Sequence, residues 1–327
     1  LAGDAGFADA MINLVLGDSV TRDRVSAAAT PGGTGAVRQG FDLIAMANPN
    51  ATIWISDPTW PNHLSILKHM GVSFKTYRYF DAETRGVTLD GMLEDLRAAK
   101  AGDVVLLHGC CHNPTGANLT APEWDAVIAL MEERGLTPMI DIAYQGFGDG
   151  LAEDADATRK VAAAIPETIV AASCSKNFGI YRERTGILMT VAHDTSLQTL
   201  TQGTLAYLNR QNYSFPPDHG ARLVTMILTD PALRLSWESE LEGMRTSMLA
   251  LRQKLADELK ALSGSDRFGF LAAHRGMFSR LGATPEQVAR LKTEHAIYMV
   301  GDSRLNIAGL TPSNVPLLAK AIVDAGI

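Results

Sequence analysis

One lysine restricts the possible folds of this chain more than any other residue. Lys176 follows an apolar run, residues 169–172, which is typical of a buried β-strand. An unpaired ammonium at the end of such a strand is costly, so covalent attachment of its nitrogen as an imine is a simple explanation. The hydroxyls of Ser173 and Ser175 and the guanidinium of Arg184 would then hold an anionic group of the attached molecule. A lysine in an exposed turn is the alternative.

Three more motifs accompany the lysine segment, which reads S-x-S-K-N-F-G-x-Y-x-E-R-x-G over residues 173–186. Asn-Pro-Thr-Gly occupies 113–116, Asp-x-Ala-Tyr-Gln-Gly-Phe occupies 141–147, and Arg-Leu-Asn-Ile-Ala-Gly occupies 304–309. Together these motifs resemble the aspartate/aromatic aminotransferase family, whose members have fold type I and use pyridoxal 5′-phosphate. The resemblance extends over essentially the whole chain.

Apolar runs alternate with helical patterns, which indicates an α/β fold. We expect strands at residues 52–56, 104–108, 137–144, 169–172 and 185–191. The resemblance implies a large cofactor-binding domain, residues 1–235, with a mostly parallel central sheet flanked by helices. It also implies a long linking helix and a smaller α+β C-terminal domain in residues 236–327. By the same resemblance, part of the small domain and a tyrosine of the site would precede Leu1.

A long helix is predicted after Asp230-Pro231, an N-cap followed by a proline in the first turn. Its end is predicted at Gly264. Apolar residues spaced by three and four describe one face of it: Trp237, Leu241, Met244, Met248, Leu251, Leu255, Leu259 and Leu262. By contrast, residues 209–217 have no helical pattern, so we expect an irregular stretch there.

A glycine-rich turn, residues 30–38, leads into another helical pattern. Backbone N–H groups converge at such a helix start and the helix dipole favours an anion, although an ordinary flexible turn is the alternative. No Gly-Lys-Ser/Thr sequence follows, which excludes a nucleotide-triphosphate loop. The resemblance implies that the phosphate of the cofactor is held by Gly33, Thr34, Ser173, Ser175 and Arg184.

The resemblance also assigns residues to the pyridine ring. Lys176 forms a Schiff base with the cofactor and then acts as the general base. Asp141 stands in an apolar context and needs a cationic partner, which a protonated ring nitrogen provides. Asn113 and Tyr144 hydrogen-bond the ring oxygen, and Trp60 stacks on the ring. Trp60 and Asn113 also border the substrate.

The segment His108-Gly-Cys-Cys-His112 allows other interpretations. The resemblance implies that His108 supports Asp141 without contacting the cofactor itself. A core histidine is the alternative. A zinc site is a further alternative, but adjacent cysteines rarely both reach one tetrahedral ion, so we expect no metal. The chain has 3 cysteines, too few for a disulfide framework, which favours a reducing cytoplasm.

Two arginines bear on the substrate. By the resemblance, Arg304 binds the α-carboxylate, and Arg210 binds a distal carboxylate across the interface of a homodimer. The residues at Phe215 and Arg280 are similar to those of bacterial aromatic aminotransferases rather than aspartate specialists. We therefore expect transfer of an amino group from tyrosine, phenylalanine or tryptophan to 2-oxoglutarate, with aspartate also accepted. A dedicated aspartate aminotransferase is the alternative.

Other classes of function are less favoured. The net charge of −7 and a pI near 5.6 favour neither nucleic acid nor an anionic membrane as partner. No apolar run approaches the roughly 20 residues of a membrane span. A β-lyase or decarboxylase with the same cofactor is disfavoured by the two carboxylate-binding arginines. A non-enzymatic binding protein built on this fold stays open.

Overall fold

The computed structural model describes residues 1–327. Its strands are β1 (Val25–Pro31), β2 (Ile53–Asp57), β3 (Phe74–Arg78), β4 (Val104–His108), β5 (Thr137–Ile142), β6 (Thr168–Ser173), β7 (Thr185–Val191), β8 (Phe278–Arg280) and β9 (Arg304–Asn306). The first seven form one sheet in the order β1-β7-β6-β5-β4-β2-β3. Only β7 runs against the others, because it pairs antiparallel with both β1 and β6. The predicted mostly parallel sheet is confirmed.

Helices connect these strands and cover both faces of the sheet. They are α1 (Ala5–Val15), α2 (Gly32–Ala47), α3 (Pro61–Met70), α4 (Leu89–Leu96), α5 (Ala121–Arg134), α6 (Glu153–Ala164), α7 (Thr195–Asn212), α8 (His219–Thr229), α9 (Pro231–Ser263), α10 (Phe270–Ala273), α11 (Pro285–His295) and α12 (Val315–Asp324). None of them combines the length and the apolar character that crossing a bilayer requires.

Alternate residues of a central strand face opposite cores. In β4, Val104 and Leu106 pack with α2 and α3 on one face, whereas Val105 and Leu107 pack with α4 and α5 on the other. A third and larger core joins β1, β6 and β7 to α1, α8 and α9. Because both faces are covered, the strands read as continuous apolar runs, and this is why most of them are recognisable in the sequence.

The strand β1 is one element that the sequence pattern does not predict. Its centre is Ser26 and the alanines 27–29, which have little preference for strands. It forms because β7 supplies a full ladder of backbone partners and because the alanines are buried. Tertiary pairing therefore overrides local preference at this end of the sheet.

The expectation of an irregular stretch at residues 209–217 is wrong for its first part, since α7 continues to Asn212. Asn209 is fully buried, and its Nδ2 donates to the carbonyl oxygen of Ala29 at 3.1 Å. This contact ties the last turn of α7 to β1. Asn209 is polar because it forms a hydrogen bond inside the protein, so the polar character of this stretch does not indicate a loop.

The long helix α9 has the predicted bounds. Asp230 Oδ1 accepts hydrogen bonds from the backbone N–H groups of Ala232 and Leu233, and Gly264 ends the helix in the left-handed conformation. The expected apolar face is too broad, however, because Met244 and Leu262 are 46% and 49% exposed. Beyond α9, β8 and β9 form an antiparallel ribbon, α10 and α12 pack against α9, and α11 packs against α12. The domain boundary at residue 235 stays a prediction.

Candidate active site

A cavity of about 150 Å³ lies at the edge of the sheet where the parallel strands end. Its wall contains every residue that the sequence analysis assigned to the cofactor: Gly33, Thr34, Trp60, Asn113, Asp141, Tyr144, Ser173, Ser175, Lys176 and Arg184. Each lies at or just after the carboxyl end of β1, β2, β4, β5 or β6, except Arg184, which immediately precedes β7. Parallel strands bring their carboxyl ends to one edge, so the topology itself collects these side chains.

One end of the cavity is built to hold an anion. Helix α2 begins at Gly32 without a side-chain cap, so its first N–H groups are free to bind a ligand. A Cβ on Gly33 would lie 2.8 Å from Cβ of Ser173, and one on Gly32 would lie 2.3 Å from Nη2 of Arg184. Only glycine permits this close approach of backbone, hydroxyl and guanidinium. Nη1 of Arg184 donates to the carbonyl oxygen of Tyr181 at 2.7 Å, and no acidic side chain neutralises its charge. The donor set fits a phosphate dianion.

At the other end, Asp141 is held by a histidine that the sequence analysis did not identify. His63 Nε2 lies 2.8 Å from Oδ2 of Asp141, and Nδ1 of the same ring lies 2.8 Å from the Thr59 hydroxyl. Burial raises the pKa of Asp141, but the His63 hydrogen bond and the nearby positive charge of Lys176 more than offset this, so the pKa is lowered. The acid therefore stays ionised and can face a cationic group.

His108 is linked to Asp141 less directly than His63 is, and its role as an indirect support of Asp141 stays a prediction. Its Nε2 contacts the Thr59 hydroxyl at 3.2 Å, so it reaches Asp141 only through Thr59 and His63. Burial, followed by the charge of His63, lowers the pKa of His108 to about 3, which keeps the ring neutral. Its ring packs 4.1 Å from that of His112, which supports its place in the cavity wall.

The zinc alternative lacks its predicted ligand set. Cys110, Cys111 and Asp154 have ligand atoms within 4.8 Å of one another, but neither His108 nor His112 belongs to this group. The oxygens of Asp154 already accept hydrogen bonds from the backbone N–H groups of residues 146, 148 and 149. The carboxylate thus organises the loop after β5.

Lys176 lies between the two ends of the cavity. Its Nζ is 4.9 Å from the centre of the Tyr144 ring. Burial lowers the pKa of Lys176, Asp141 opposes that effect and Arg184 reinforces it, with a net lowering. Asn113 Nδ2 lies 3.5 Å from Oη of Tyr144, so both groups reach the same part of the cavity. A lysine with a lowered pKa is suited to nucleophilic attack and to proton transfer.

The two arginines assigned to the substrate lie in different places. Arg304 Nη1 donates to Oδ1 of Asn113 at 3.2 Å, and its guanidinium lies 4.8 Å from the centre of the Phe278 ring. It therefore lies beside the cavity and contacts the wall residue Asn113, although it is not itself part of the wall. Arg210 is exposed, bonds the Ser214 hydroxyl at 2.6 Å, and is absent from the cavity wall of its own chain.

Residues 2–322 match the family model for aminotransferase class I and II. The chain belongs to this family. This aminotransferase is 60% identical over 327 residues to the aromatic-amino-acid aminotransferase of Paracoccus denitrificans, covering 100% of this chain and 83% of the relative. It is 44% identical over 300 residues to the aspartate aminotransferase of Escherichia coli (strain K12), covering 92% and 76% of the two chains.

A solved structure gives the same result for the fold of this aminotransferase. The aromatic-amino-acid aminotransferase of Burkholderia pseudomallei, covalently bound to pyridoxal phosphate, superposes with a TM-score of 0.96 at 40% identity. The match covers 99% of this chain and 82% of that one. The family and the fold class predicted from the motifs are confirmed.

Proposed function

We propose that this aminotransferase binds pyridoxal 5′-phosphate at Lys176 and transfers an amino group from tyrosine, phenylalanine or tryptophan to 2-oxoglutarate. Aspartate is a further donor. One observation carries the proposal: a single cavity joins a lysine of lowered pKa, an ionised Asp141 and an anion-binding helix start. The relative from Paracoccus denitrificans, named as an aromatic-amino-acid aminotransferase, supports the aromatic donors.

Bound pyridoxal phosphate supplies an electron-accepting ring that stabilises negative charge at the substrate Cα. Gly33, Thr34, Ser173, Ser175 and Arg184 would hold its phosphate. The ionised Asp141 would pair with the protonated ring nitrogen and keep the proton there.

The remaining chemistry is proton transfer and orientation. Lys176 Nζ would take the proton from the substrate Cα and deliver it to the C4′ carbon of the cofactor, because burial makes the neutral form of the lysine accessible. Asn113 and Tyr144 are placed to hydrogen-bond the ring oxygen. Trp60 closes one side of the cavity with an apolar surface, which limits the access of water.

Arg304 is the proposed partner of the substrate α-carboxylate, because its planar fork binds a carboxylate through two parallel hydrogen bonds. Arg210 is the proposed partner of a distal carboxylate. Unlike Arg304, Arg210 contacts residues outside the cavity wall, Ser214 and Phe215, so we infer that it serves the cavity of a second copy in a homodimer. Exposed apolar side chains on the same helix and just after it support such an interface, among them Leu200, Tyr207 and Phe215 at 69%, 52% and 62% exposure.

The cellular location is inferred from the thiols. Cys110, Cys111 and Cys174 are all free, which suits a reducing compartment, and we propose the cytoplasm.

The donor preference is tested by comparing kcat/KM for tyrosine and aspartate with 2-oxoglutarate as acceptor. We expect the ratio of tyrosine to aspartate to be one or higher. A ratio far below one favours the second candidate, a dedicated aspartate aminotransferase. The similarity to the aspartate aminotransferase of Escherichia coli supports this candidate. We further propose that Phe215, whose ring lies 6.0 Å from the guanidinium of Arg210, forms an apolar edge of the pocket that Arg210 serves, so Phe215→Asn should lower the ratio.

A further inference from the structure

Arg252, in the middle of α9, is a buried cation without an acidic partner. Its side chain is 0% exposed. The guanidinium donates to the carbonyl oxygens of Leu271, Gly276 and Phe278 at 3.0, 2.7 and 2.8 Å, and to the Ser279 hydroxyl at 2.7 Å. It forms no ion pair. Nothing assigned so far to the site explains why a charge is buried there.

Stability alone does not account for this arginine. Burial lowers its pKa to about 10, and its Nε has no hydrogen-bond partner. A well-packed apolar side chain of similar length would avoid this desolvation cost. What the arginine adds is geometry, because its planar fork fixes several acceptors at once and three of its four acceptors lie within residues 276–279.

That segment forms part of the wall beside Arg304. The Phe278 ring lies 4.8 Å from the guanidinium of Arg304 and packs edge-on against Tyr144 at 6.3 Å. In the β8–β9 ribbon, Phe278 pairs with Asn306 and Arg280 pairs with Arg304. The position of β8 therefore determines the position of β9 and of the guanidinium that β9 carries.

Residues 276–279 are also tightly packed against Gly116 and Cys111. A Cβ on Gly116 would lie 2.3 Å from the carbonyl oxygen of Phe278, and one on Gly276 would lie 2.5 Å from Cβ of Cys111. Gly116 and Cys111 flank the turn that carries Asn113, to which Arg304 donates. A shift of residues 276–279 is thus transmitted to both ends of the Arg304–Asn113 hydrogen bond.

We propose that Arg252 is a positioning residue for carboxylate recognition. It holds residues 276–279 so that Phe278 packs against Arg304 and keeps its guanidinium directed at the α-carboxylate of the substrate. Arg252 touches neither substrate nor cofactor. This inference rests on the proposed role of Arg304.

The test measures binding of an acid that cannot react. The probe is 3-indolepropionic acid, an aromatic carboxylic acid without an amino group, titrated into the full-length, cofactor-loaded protein by calorimetry. Arg252→Met should raise the Kd of the acid about tenfold or more, because small displacements of a positioning group are costly. KM for tyrosine should rise in parallel, whereas kcat and the absorbance of the bound cofactor should change little.

Two other variants separate positioning from general destabilisation. Arg252→Lys keeps the charge and three donors, so it should recover part of the affinity. Arg245→Met removes another arginine from the same helix, one that pairs with Glu242, and should leave the Kd unchanged. Ser279→Ala removes one acceptor of Arg252 without altering α9, and should weaken binding in the same direction by a smaller factor.

Arg304→Met separates this inference from the proposed function. If that variant binds the acid as tightly as the unmodified protein, the proposed carboxylate site is wrong. If it loses binding while folded Arg252→Met keeps the original Kd, the positioning role of Arg252 is overturned. If Arg252→Met fails to fold, the Kd of 3-indolepropionic acid is measured for Ser279→Ala and Arg252→Lys instead. An unchanged Kd in both variants overturns the proposal.

Discussion

At the residue scale, two opposite charges determine what the cavity can do. Lys176 has a lowered pKa because it is buried, and Asp141 has a lowered pKa despite burial because His63 bonds it. The lysine is thereby prepared to lose its proton and the acid to stay ionised. The same burial acts on both groups, so their different behaviour follows from their partners.

Replacement of Lys176 by alanine tests the first of these charges. Turnover should fall by at least about a thousandfold, because both the nucleophile and the general base are lost. The phosphate and ring contacts remain, so the variant should still retain the cofactor. Rapid-mixing absorbance with tyrosine measures both effects, and near-normal rates would remove Lys176 from the central role.

His63→Leu tests the second charge through its pH dependence. In the unmodified protein the pKa of Asp141 lies below its ordinary value of 3.8, so its ionised form stabilises the fold above that pH. This stability is lost as pH falls through the lowered pKa. Without His63 the effect of burial dominates and the pKa rises, so the acid-unfolding midpoint should move to higher pH.

The control for this variant is His69→Leu, since His69 is exposed on the same helix α3. It should leave the midpoint unchanged. Acid titrations followed by circular dichroism compare the three proteins, and identical midpoints for all of them would contradict the role given to His63.

The site residues that the sequence reveals most clearly are those that lie close together along the chain. Lys176, Asp141 and Asn113 lie in compact motifs at strand ends, where the sequence alone points to them. His63 was missed because its partner is 78 residues away, and no local pattern distinguishes it from a helix-surface histidine. Distances across strands depend on the order of the sheet, which the motifs do not reveal.

At the scale of elements, the site depends on how closely α2 approaches its neighbours. A Cβ on Gly33 would meet Ser173, and one on Gly186 of β7 would lie 2.3 Å from the backbone carbon of Gly32. The start of α2 therefore lies directly against the end of β6 and the backbone at the start of β7. The phosphate-binding end forms only because these positions carry no side chain.

Gly33→Ala should disturb this contact. We expect a loss of about 1–3 kcal/mol in folding or cofactor binding, the usual cost of forcing extra atoms into a packed region. The matched control is Gly243→Ala in α9, where nothing lies within 4 Å and helix preference should stabilise by about 0.5–1 kcal/mol. Thermal unfolding and cofactor titration measure both, and equal effects would contradict the close-approach account.

Some strands and helices are easier to predict from the sequence than others. The strands with continuous apolar runs, such as β4 and β7, were predictable because burial on both faces leaves a clear pattern. The alanine-rich β1 was not, because it depends on pairing with β7, and the last turn of α7 was not, because Asn209 bonds β1 from that turn. Local preference carries no information about a contact between segments 180 residues apart.

At the scale of the whole molecule, the two arginines proposed to bind the substrate lie on different parts of the chain. Arg304 lies beside the cavity, while Arg210 is exposed on α7 beside apolar side chains. A homodimer in which each Arg210 serves the other cavity would explain both facts.

Mixing two inactive variants tests this arrangement. Arg210→Ala and Lys176→Ala, refolded together, give mixed dimers in which one cavity combines an intact Lys176 with the partner's intact Arg210. Transfer between aspartate and 2-oxoglutarate should reappear in the mixture at a substantial fraction of the original rate. If Arg210 acts within its own chain, no mixture recovers activity.

One absorbance measurement shows whether Lys176 holds a pyridoxal cofactor that is used for amino transfer. The purified protein is loaded with pyridoxal phosphate and its spectrum is recorded before and after addition of tyrosine, without an acceptor acid. We expect a visible cofactor band that is lost on addition of tyrosine and restored by 2-oxoglutarate. A spectrum that responds to neither compound, in a folded protein with bound cofactor, would contradict this role of Lys176.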